Sequence, residues 1–417
     1  MSLGSPDSRA DAVHRGTIGY LSGAPRVSTD PRASASGPRA HVLGVIEAME
    51  RQGWRVERYI AGDLLPRFAG RGADGVVSHR GRVARLSADL LRVTAGRITP
   101  IHAGVRLGTN LDLVYERFAS MQGIGRRFQS YGVPWVLETN GPFFYEAEVE
   151  RESMALTRIA RRLELRAYQN CDVLVCVSDP LKAILTEELE VDPDKVLVVP
   201  NGVDPVRFDP TEVTPRRSSP NLTVGFTGSV LAWQGLDLLL EAIAEIRGRG
   251  VVMDVAILGR GPDLSRLQAL ADELGIRDSV RFAGQVPWES VPQYLAGFDV
   301  GYSGQRSMEL GSMYHSPLKL YEYLAMGVPV LASRHDDAEA LVGDDEHGFL
   351  FRSGDRDDLV RCLMEIHSRR HTLPGMGRLG RDLVLAEHTW DARVGAMLEQ
   401  VFATLRRQRS KGGLDDG

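Results

Sequence analysis

The sequence predicts an α/β protein made of two doubly wound, Rossmann-like domains facing a cleft. Three observations predict it. Short apolar runs alternate with amphipathic stretches along most of the chain, the grammar of parallel βαβ units. The series is interrupted once, by a turn cluster followed by Pro205, Pro210, Pro215 and Pro220. The length, 417 residues, exceeds one ordinary domain of about 150. We therefore expect a disordered leader over 1–16, a first domain over 17–204 and a second over 205–387. A last amphipathic stretch, 388–408, lies too far from the second series to be a simple crossover and is expected to fold back on the first domain.

The elements follow in order. Thr17-Ile18-Gly19-Tyr20-Leu21 reads as a strand, and a Ser/Pro/Gly/Arg-rich loop covers 22–38. Val42, Val45, Ile46 and Met49 recur at helical spacing over 41–52. Gly53 ends that helix, and a strand resumes over 54–60. Further strands are expected at 111–115 and 134–139, and a helix at 154–170. The unbroken run Asp172-Val173-Leu174-Val175-Cys176-Val177 is the mark of a strand covered on both faces. Ser178-Asp179-Pro180 then caps a helix, with proline in its first turn. A strand at 195–199 closes the half. The second series places strands at 222–226, 253–258, 280–283, 300–303 and 328–332, with helices between them.

Composition excludes several classes. The 50 basic and 55 acidic residues leave a formal charge of −5, without the basic excess of a general nucleic-acid binder. Cys171, Cys176 and Cys362 form neither a disulfide framework nor a zinc spacing, which fits a reducing cytoplasm. No apolar run approaches the roughly 18 residues that a membrane span needs. The arginines Arg151, Arg158, Arg161, Arg162 and Arg166 alternate with Glu150, Glu152 and Glu164. That stretch reads as a solvated face, with peripheral contact to anionic lipid as the other reading.

In doubly wound folds ligands bind beyond the carboxyl ends of the strands, so polar groups just after strands are the candidates. Gly228 and Ser229 follow the first strand of the second half and precede a helix, a position suited to phosphate or simply to a tight turn. Gly259-Arg260-Gly261-Pro262 follows the next strand; its glycines permit close approach, and Arg260 reaches toward a diphosphate. Gln285 and Val286, after a third strand, offer backbone groups to a flat base edge. Ser316-Pro317-Leu318-Lys319 reads as N-cap, first helical residue and first turn, with Glu322 one turn on. Only four lysines occur: Lys182, Lys195, Lys319 and Lys411. One of them at a helix start suits a phosphate. A routine i,i+3 surface ion pair with Glu322 is the bland alternative. In the first half Asn140 follows a strand and should face the cleft. Ser36, Gly37 and His41 lie where a small-residue loop meets a helix, against an acceptor. Asp192-Pro193-Asp194 and Asp355-Arg356-Asp357 are metal-binding in form but sit in turns, and read as caps.

With these stretches in view, the chain resembles the retaining GT-B glycosyltransferases of family 4. The resemblance rests on Asn201-Gly202-Val203-Asp204 with Phe208, and on Phe226-Thr227-Gly228 leading to Gly235-Leu236-Asp237 and Glu241-Ala242. It rests also on Gly259 to Pro262, on Phe282-Ala283-Gly284 with Tyr294-Leu295-Ala296, and on the block from Glu322 to Ala332. It covers the second half strongly and the first weakly. It implies a nucleotide-sugar donor on the second domain, an acceptor on the first, and a C-terminal helix that crosses back. It further implies transfer with retention, usually without a bound metal or other cofactor. By position, Glu322 should hold the ribose, Lys319 and the Ser316, Pro317 and Leu318 backbone the phosphate and sugar, and Gln285 and Val286 the base. Three departures stand out. Tyr314 replaces the family's first glutamate, Ser229 and Gln234 replace an arginine and a lysine, and Asn140 replaces a histidine. A shift of the phosphate role to Lys319, assisted by Arg260 or Arg306, would accommodate them.

The expected function is retaining, metal-independent transfer of a hexose-type sugar from a nucleotide-diphosphate donor to an acceptor hydroxyl. Asn140, Lys319 and Tyr314 are the candidate catalytic residues. The setting is secondary-metabolite (antibiotic) or cell-envelope glycan biosynthesis, in the cytoplasm, without nucleic-acid partners. The alternative is a catalytically silent GT-B protein that binds nucleotide or assists a partner.

Overall fold

The computed structural model describes residues 15–33, 36–64, 81–150, 154–217, 219–306, 313–343 and 345–412. The expected leader therefore lies outside the described residues up to residue 14, and Gly16 already opens the first strand.

Among the described residues, twelve strands form two parallel six-stranded sheets. The first contains β1 (Gly16–Ser22), β2 (Trp54–Ile60), β3 (Leu113–Arg117), β4 (Trp135–Thr139), β5 (Val173–Cys176) and β6 (Val196–Val198), in the order β2-β1-β3-β4-β5-β6. The second contains β7 (Leu222–Thr227), β8 (Met253–Leu258), β9 (Val280–Gly284), β10 (Val300–Ser303), β11 (Val330–Ser333) and β12 (Gly348–Phe351), in the order β12-β11-β10-β7-β8-β9. Each order reverses once, between β1 and β3 and between β7 and β10. Those reversals are the switch points where such sheets open a crevice. The strands are buried on both faces: Ile18, Tyr20, Leu113, Val136 and Val173 pack on one side of the first sheet, Leu21, Val114, Leu137 and Leu174 on the other.

The Trp390–Gly412 helix returns to the first sheet and packs on the Gly37–Arg51 helix. Contact is close because Gly44 has no side chain: a Cβ there would lie 2.2 Å from the Trp390 indole nitrogen. Where the chain passes between the two sheets, Val203 bridges Thr389, and the Val203 N–H donates to the His388 carbonyl at 3.0 Å.

Several elements differ from the sequence pattern. The Arg82–Leu107 helix and β12 are not marked by it. The helix expected over 154–170 starts at Thr157. Glu164, expected on a solvated face, is fully buried, because its carboxylate receives the Phe143 and Phe144 N–H groups at 2.7 and 3.0 Å and the Tyr168 hydroxyl at 2.6 Å. Arg151 and Glu152 lie outside the described residues. Asp192 and Asp355 accept from the Asp194 and Asp358 backbone N–H groups, as caps do.

Candidate active site

The second-sheet side of the cleft is built on three turns at the carboxyl ends of β7, β8 and β9. The Gly228 N–H donates to the Leu258 carbonyl at 3.0 Å, the Val230 N–H to Arg260 at 2.9 Å and the Gly259 N–H to Gly284 at 2.8 Å. Gly259 has φ 142°, and a Cβ on it would stand 1.8 Å from the Gly228 oxygen, so only glycine lets the first two turns meet. A Cβ on Gly261 would likewise collide with the Val230 carbonyl. Ser229, Arg260 and Gln285 are exposed along this ledge, and Val286 is half-buried near Trp288.

The Leu318–Ala325 helix points its start at this ledge. The structure corrects its cap: Pro317 is the N-cap, and Ser316 does not cap the helix. The Ser316 hydroxyl instead receives the Asn201 N–H at 3.0 Å, because the chain before the helix is pinned to the crossover between domains. Lys319 turns inward and is 8% exposed. Its Nζ donates to Gln234 Oε1 at 2.7 Å and stands 4.0 Å from the Phe226 ring centre. The same atom would lie 3.5 Å from a Cβ on Gly228. Glu322 is equally buried, so the pair is not a surface ion pair. Burial pulls Lys319 down to about 7, against the pull of the Glu322 carboxylate. Burial pushes Glu322 up to about 7, against the pull of Lys319. Arg306, named as an assistant, donates to Asp237 at 2.8 Å, while Arg260 projects to solvent.

The first half supplies the facing wall. Asn140 follows β4, and its amide donates to Glu138 Oε1 at 2.7 Å. Glu138 is a hub: Arg117 donates at 2.7 Å, Tyr115 at 2.6 Å, and His41 Nε2 lies 2.8 Å away. Burial alone would raise this carboxyl, but His41 and Arg117 outweigh it and hold the group well below the usual carboxylate range. The other ring nitrogen of His41 faces Asn201 Oδ1 at 2.7 Å, and the ring packs edge-on against Trp390. Both nitrogens are thus engaged inside the protein. Ser36 is the N-cap of the Gly37–Arg51 helix, and Gly37 faces Leu318 across the cleft.

The two halves touch through the segment preceding the Leu318–Ala325 helix. Met313 and Tyr314 belong to the apolar core of the first half, packed with Tyr168, Cys176 and Leu181. The Tyr314 carbonyl accepts from the Ser178 hydroxyl at 2.6 Å, and its own hydroxyl donates to Glu146 at 3.4 Å. His315 Nδ1 meets the Asn140 carbonyl at 3.2 Å, while its Nε2 lies 3.9 Å from Glu146. Glu146, His315 and the hub residue Glu138 are the site groups that sequence reasoning did not single out. No local pattern marks the first two, because their pairing spans the two halves. Trp233, whose ring lies 5.9 Å from His315, closes the opposite rim. Among the described residues no cluster of His, Cys, Asp and Glu has the form of a metal site.

Two Rossmann-like domains with facing strand ends and a returning C-terminal helix define the GT-B fold. Solved structures share it. Sucrose-phosphate synthase from Thermosynechococcus elongatus superposes with a TM-score of 0.68 at 19% identity, covering 93% of this chain and 100% of that one. Anabaena HepE, solved in complex with UDP and glucose, gives 0.63 at 16% identity, covering 93% and 100%. The family model for Glycosyltransferase Family 4 matches 35–207, and that for Glycosyl transferases group 1 matches 221–369. Together they span more than half of the sequence, and the chain belongs to this family. A GDP-mannose-dependent α-(1-6)-phosphatidylinositol monomannoside mannosyltransferase of Mycolicibacterium smegmatis is 30% identical over 218 residues, which is 51% of this chain and 57% of that one. Such matches span about half the length of the curated relatives.

Proposed function

We propose that the chain transfers a hexose-type sugar from a nucleoside diphosphate donor to an acceptor hydroxyl, with retention and without a bound metal. The observation that carries this reading is the buried Lys319, aimed at the Gly228 turn with Glu322 one helical turn behind. A cation held in an apolar pocket at a helix start opposes the charge that develops on a leaving diphosphate. Glu322 accepts hydrogen bonds from the ribose hydroxyls, and the Gln285 and Val286 backbone frames the base. Ser229, Arg260 and Gly261 line the phosphate ledge, and the Ser316, Pro317 and Leu318 backbone contacts phosphate and sugar.

In this reading the sugar lies between Lys319 and the Asn140–His315 wall, with Tyr314 shaping its far side. The leaving diphosphate assists deprotonation of an acceptor arriving on the same face, and the rigid wall fixes the near-attack geometry. The acceptor enters from the first half, past Ser36 and Gly37. His41 acts there by orienting Glu138 and, through it, Asn140. The name of the mannosyltransferase relative favours a cell-envelope glycan or glycolipid acceptor over an antibiotic aglycone. A binding-only role is the second reading, favoured by the neutral Ser229 and Gln234 where the family carries positive charge.

The test is thermal-shift binding against nucleoside diphosphates and their sugars, with and without Mg²⁺, on wild type and Glu322→Ala. Stabilisation by one base, lost in the variant and followed by turnover with an envelope acceptor, supports the transferase. Stabilisation without turnover favours the binding-only role, and no stabilisation by any of them overturns both.

A further inference from the structure

Between the Arg82–Leu107 and Thr157–Asn170 helices the first half holds a cavity of about 400 Å³, and none of its lining residues belongs to the cleft. The size suits a small molecule. Gly96 and Pro100 line it from the first helix, Leu163 and Ala167 from the second. The third wall is the segment around the short Arg126–Gln129 helix, and Trp135 at the start of β4 lies below.

The floor is apolar and fixed. Met121, Trp135 and Leu163 form it. Two glycines bring its parts together. A Cβ on Gly96 would stand 2.3 Å from the Met121 carbonyl oxygen, and one on Gly125 would strike the Trp135 indole. The turn is also pinned from inside the domain. There the fully buried Glu116 carboxylate accepts the Ile124 and Gly125 N–H groups at 2.9 and 2.8 Å. A ligand entering here meets a pocket that is already formed, so little ordering opposes its binding.

The rim is cationic. Arg126, Arg127 and Arg166 line the cavity together with Ser130, and no acid does. No carboxylate pairs with any of the three arginines among the described residues. The Arg127 guanidinium rests over the Tyr131 ring at 4.8 Å, a contact that orients it without neutralising it. Three like charges around one opening repel, and an anion among them removes that penalty.

We propose that this cavity is a second ligand site, which takes a soluble phosphate monoester with a flat apolar body. The phosphate lies among the guanidiniums, whose paired N–H donors match its oxygens, and Ser130 adds a hydroxyl. The body lies on the floor of Met121, Trp135 and Leu163. A bare inorganic anion leaves that floor unfilled, and a neutral ring leaves the charges unmet. The site belongs to the first half and is independent of whether the cleft transfers sugar.

The experiment is calorimetric titration of the full chain with phenyl phosphate, inorganic phosphate and phenol, in a phosphate-free buffer of low ionic strength. Phenyl phosphate is expected to bind about tenfold more tightly than inorganic phosphate, and phenol not at all. Arg126→Met combined with Arg166→Met should weaken phenyl phosphate at least tenfold at an unchanged melting temperature, since both side chains are exposed. Lys319→Met should bind it as the wild type does, which separates this cavity from the phosphate position in the cleft. Absence of binding, equal affinity for inorganic phosphate, binding kept by the double arginine variant, or binding lost in Lys319→Met each overturns the proposal.

Discussion

The Lys319 ammonium donates to the Gln234 amide oxygen at 2.7 Å, joining the first turn of the Leu318–Ala325 helix to the segment just before the Leu236–Gly248 helix. The contact leaves a cation buried with a neutral partner, which is why its proton is held weakly, at about 7. A bound nucleotide sugar adds negative charge and keeps that proton on. Binding should therefore weaken as pH rises above about 7, where the free protein has lost the charge. Glu322 acts in the opposite sense: its carboxylate accepts hydrogen bonds, and it is protonated below about 7. Calorimetry with a nucleotide sugar should give a bell-shaped affinity profile. Lys319→Met should remove the alkaline limb and cost about 2 kcal/mol; Glu322→Gln should remove the acid limb. A flat wild-type profile would refute the assignment.

Glu146 lies across the cleft from His315, 3.9 Å from its Nε2. Glu146→Gln keeps the shape and removes the charge. The kcat for nucleoside diphosphate release should fall about tenfold, because the His315 ring loses the carboxylate that orients it against the Asn140 wall, with donor affinity unchanged. A variant that loses donor affinity instead would show that Glu146 only supports the Tyr314 segment.

Glu138 couples stability to pH. Its carboxyl titrates near 4.5 when unfolded and well below that when folded, so its contribution is present above about 4.5 and lost as pH falls further. Arg117→Met leaves a buried carboxylate short of a partner and should cost about 3 kcal/mol at pH 7. Chemical denaturation should show the gap between wild type and variant shrinking below pH about 4. A gap that persists there would mean packing, not charge, accounts for the loss.

Gly44 tests the returning helix. Gly44→Val forces atoms into the Trp390 indole. A loss of about 2 kcal/mol is expected, with limited proteolysis releasing the last helix first. Release of the last helix at the wild-type rate would contradict the packing described here.

The two sheets are legible because eleven of the twelve described strands carry an apolar run of recognisable composition and most helices their own turn chemistry. Lys319 and Glu322 stood out for a similar reason: a rare lysine, a helix start and a fixed spacing all lie within seven residues of Ser316. The Arg82–Leu107 helix escaped because its apolar residues face outward and Pro100 interrupts its pattern. β12, Gly348-Phe349-Leu350-Phe351, opens on a glycine and holds no β-branched residue, so its short run lacks the composition that marks β5, β10 and β11 as strands. Ser316 has the form of a cap in sequence, but its hydroxyl is taken by the N–H of Asn201, 115 residues away. Glu146 and His315 meet across 169 positions, and Glu138 draws its partners from three separate elements. Such pairings are consequences of tertiary closure and leave no trace in local sequence.

Met313 and Tyr314 are housed in the hydrophobic interior of the other domain, although they lead directly into the Leu318–Ala325 helix. The two halves are consequently not interchangeable modules. A chimera that joins this second half to a relative's first half would lose the socket that seats Tyr314, and with it the alignment of Lys319. Engineering a new donor or acceptor preference here means transplanting the socket, from Tyr168 through Leu181, together with the 313–317 strap it grips.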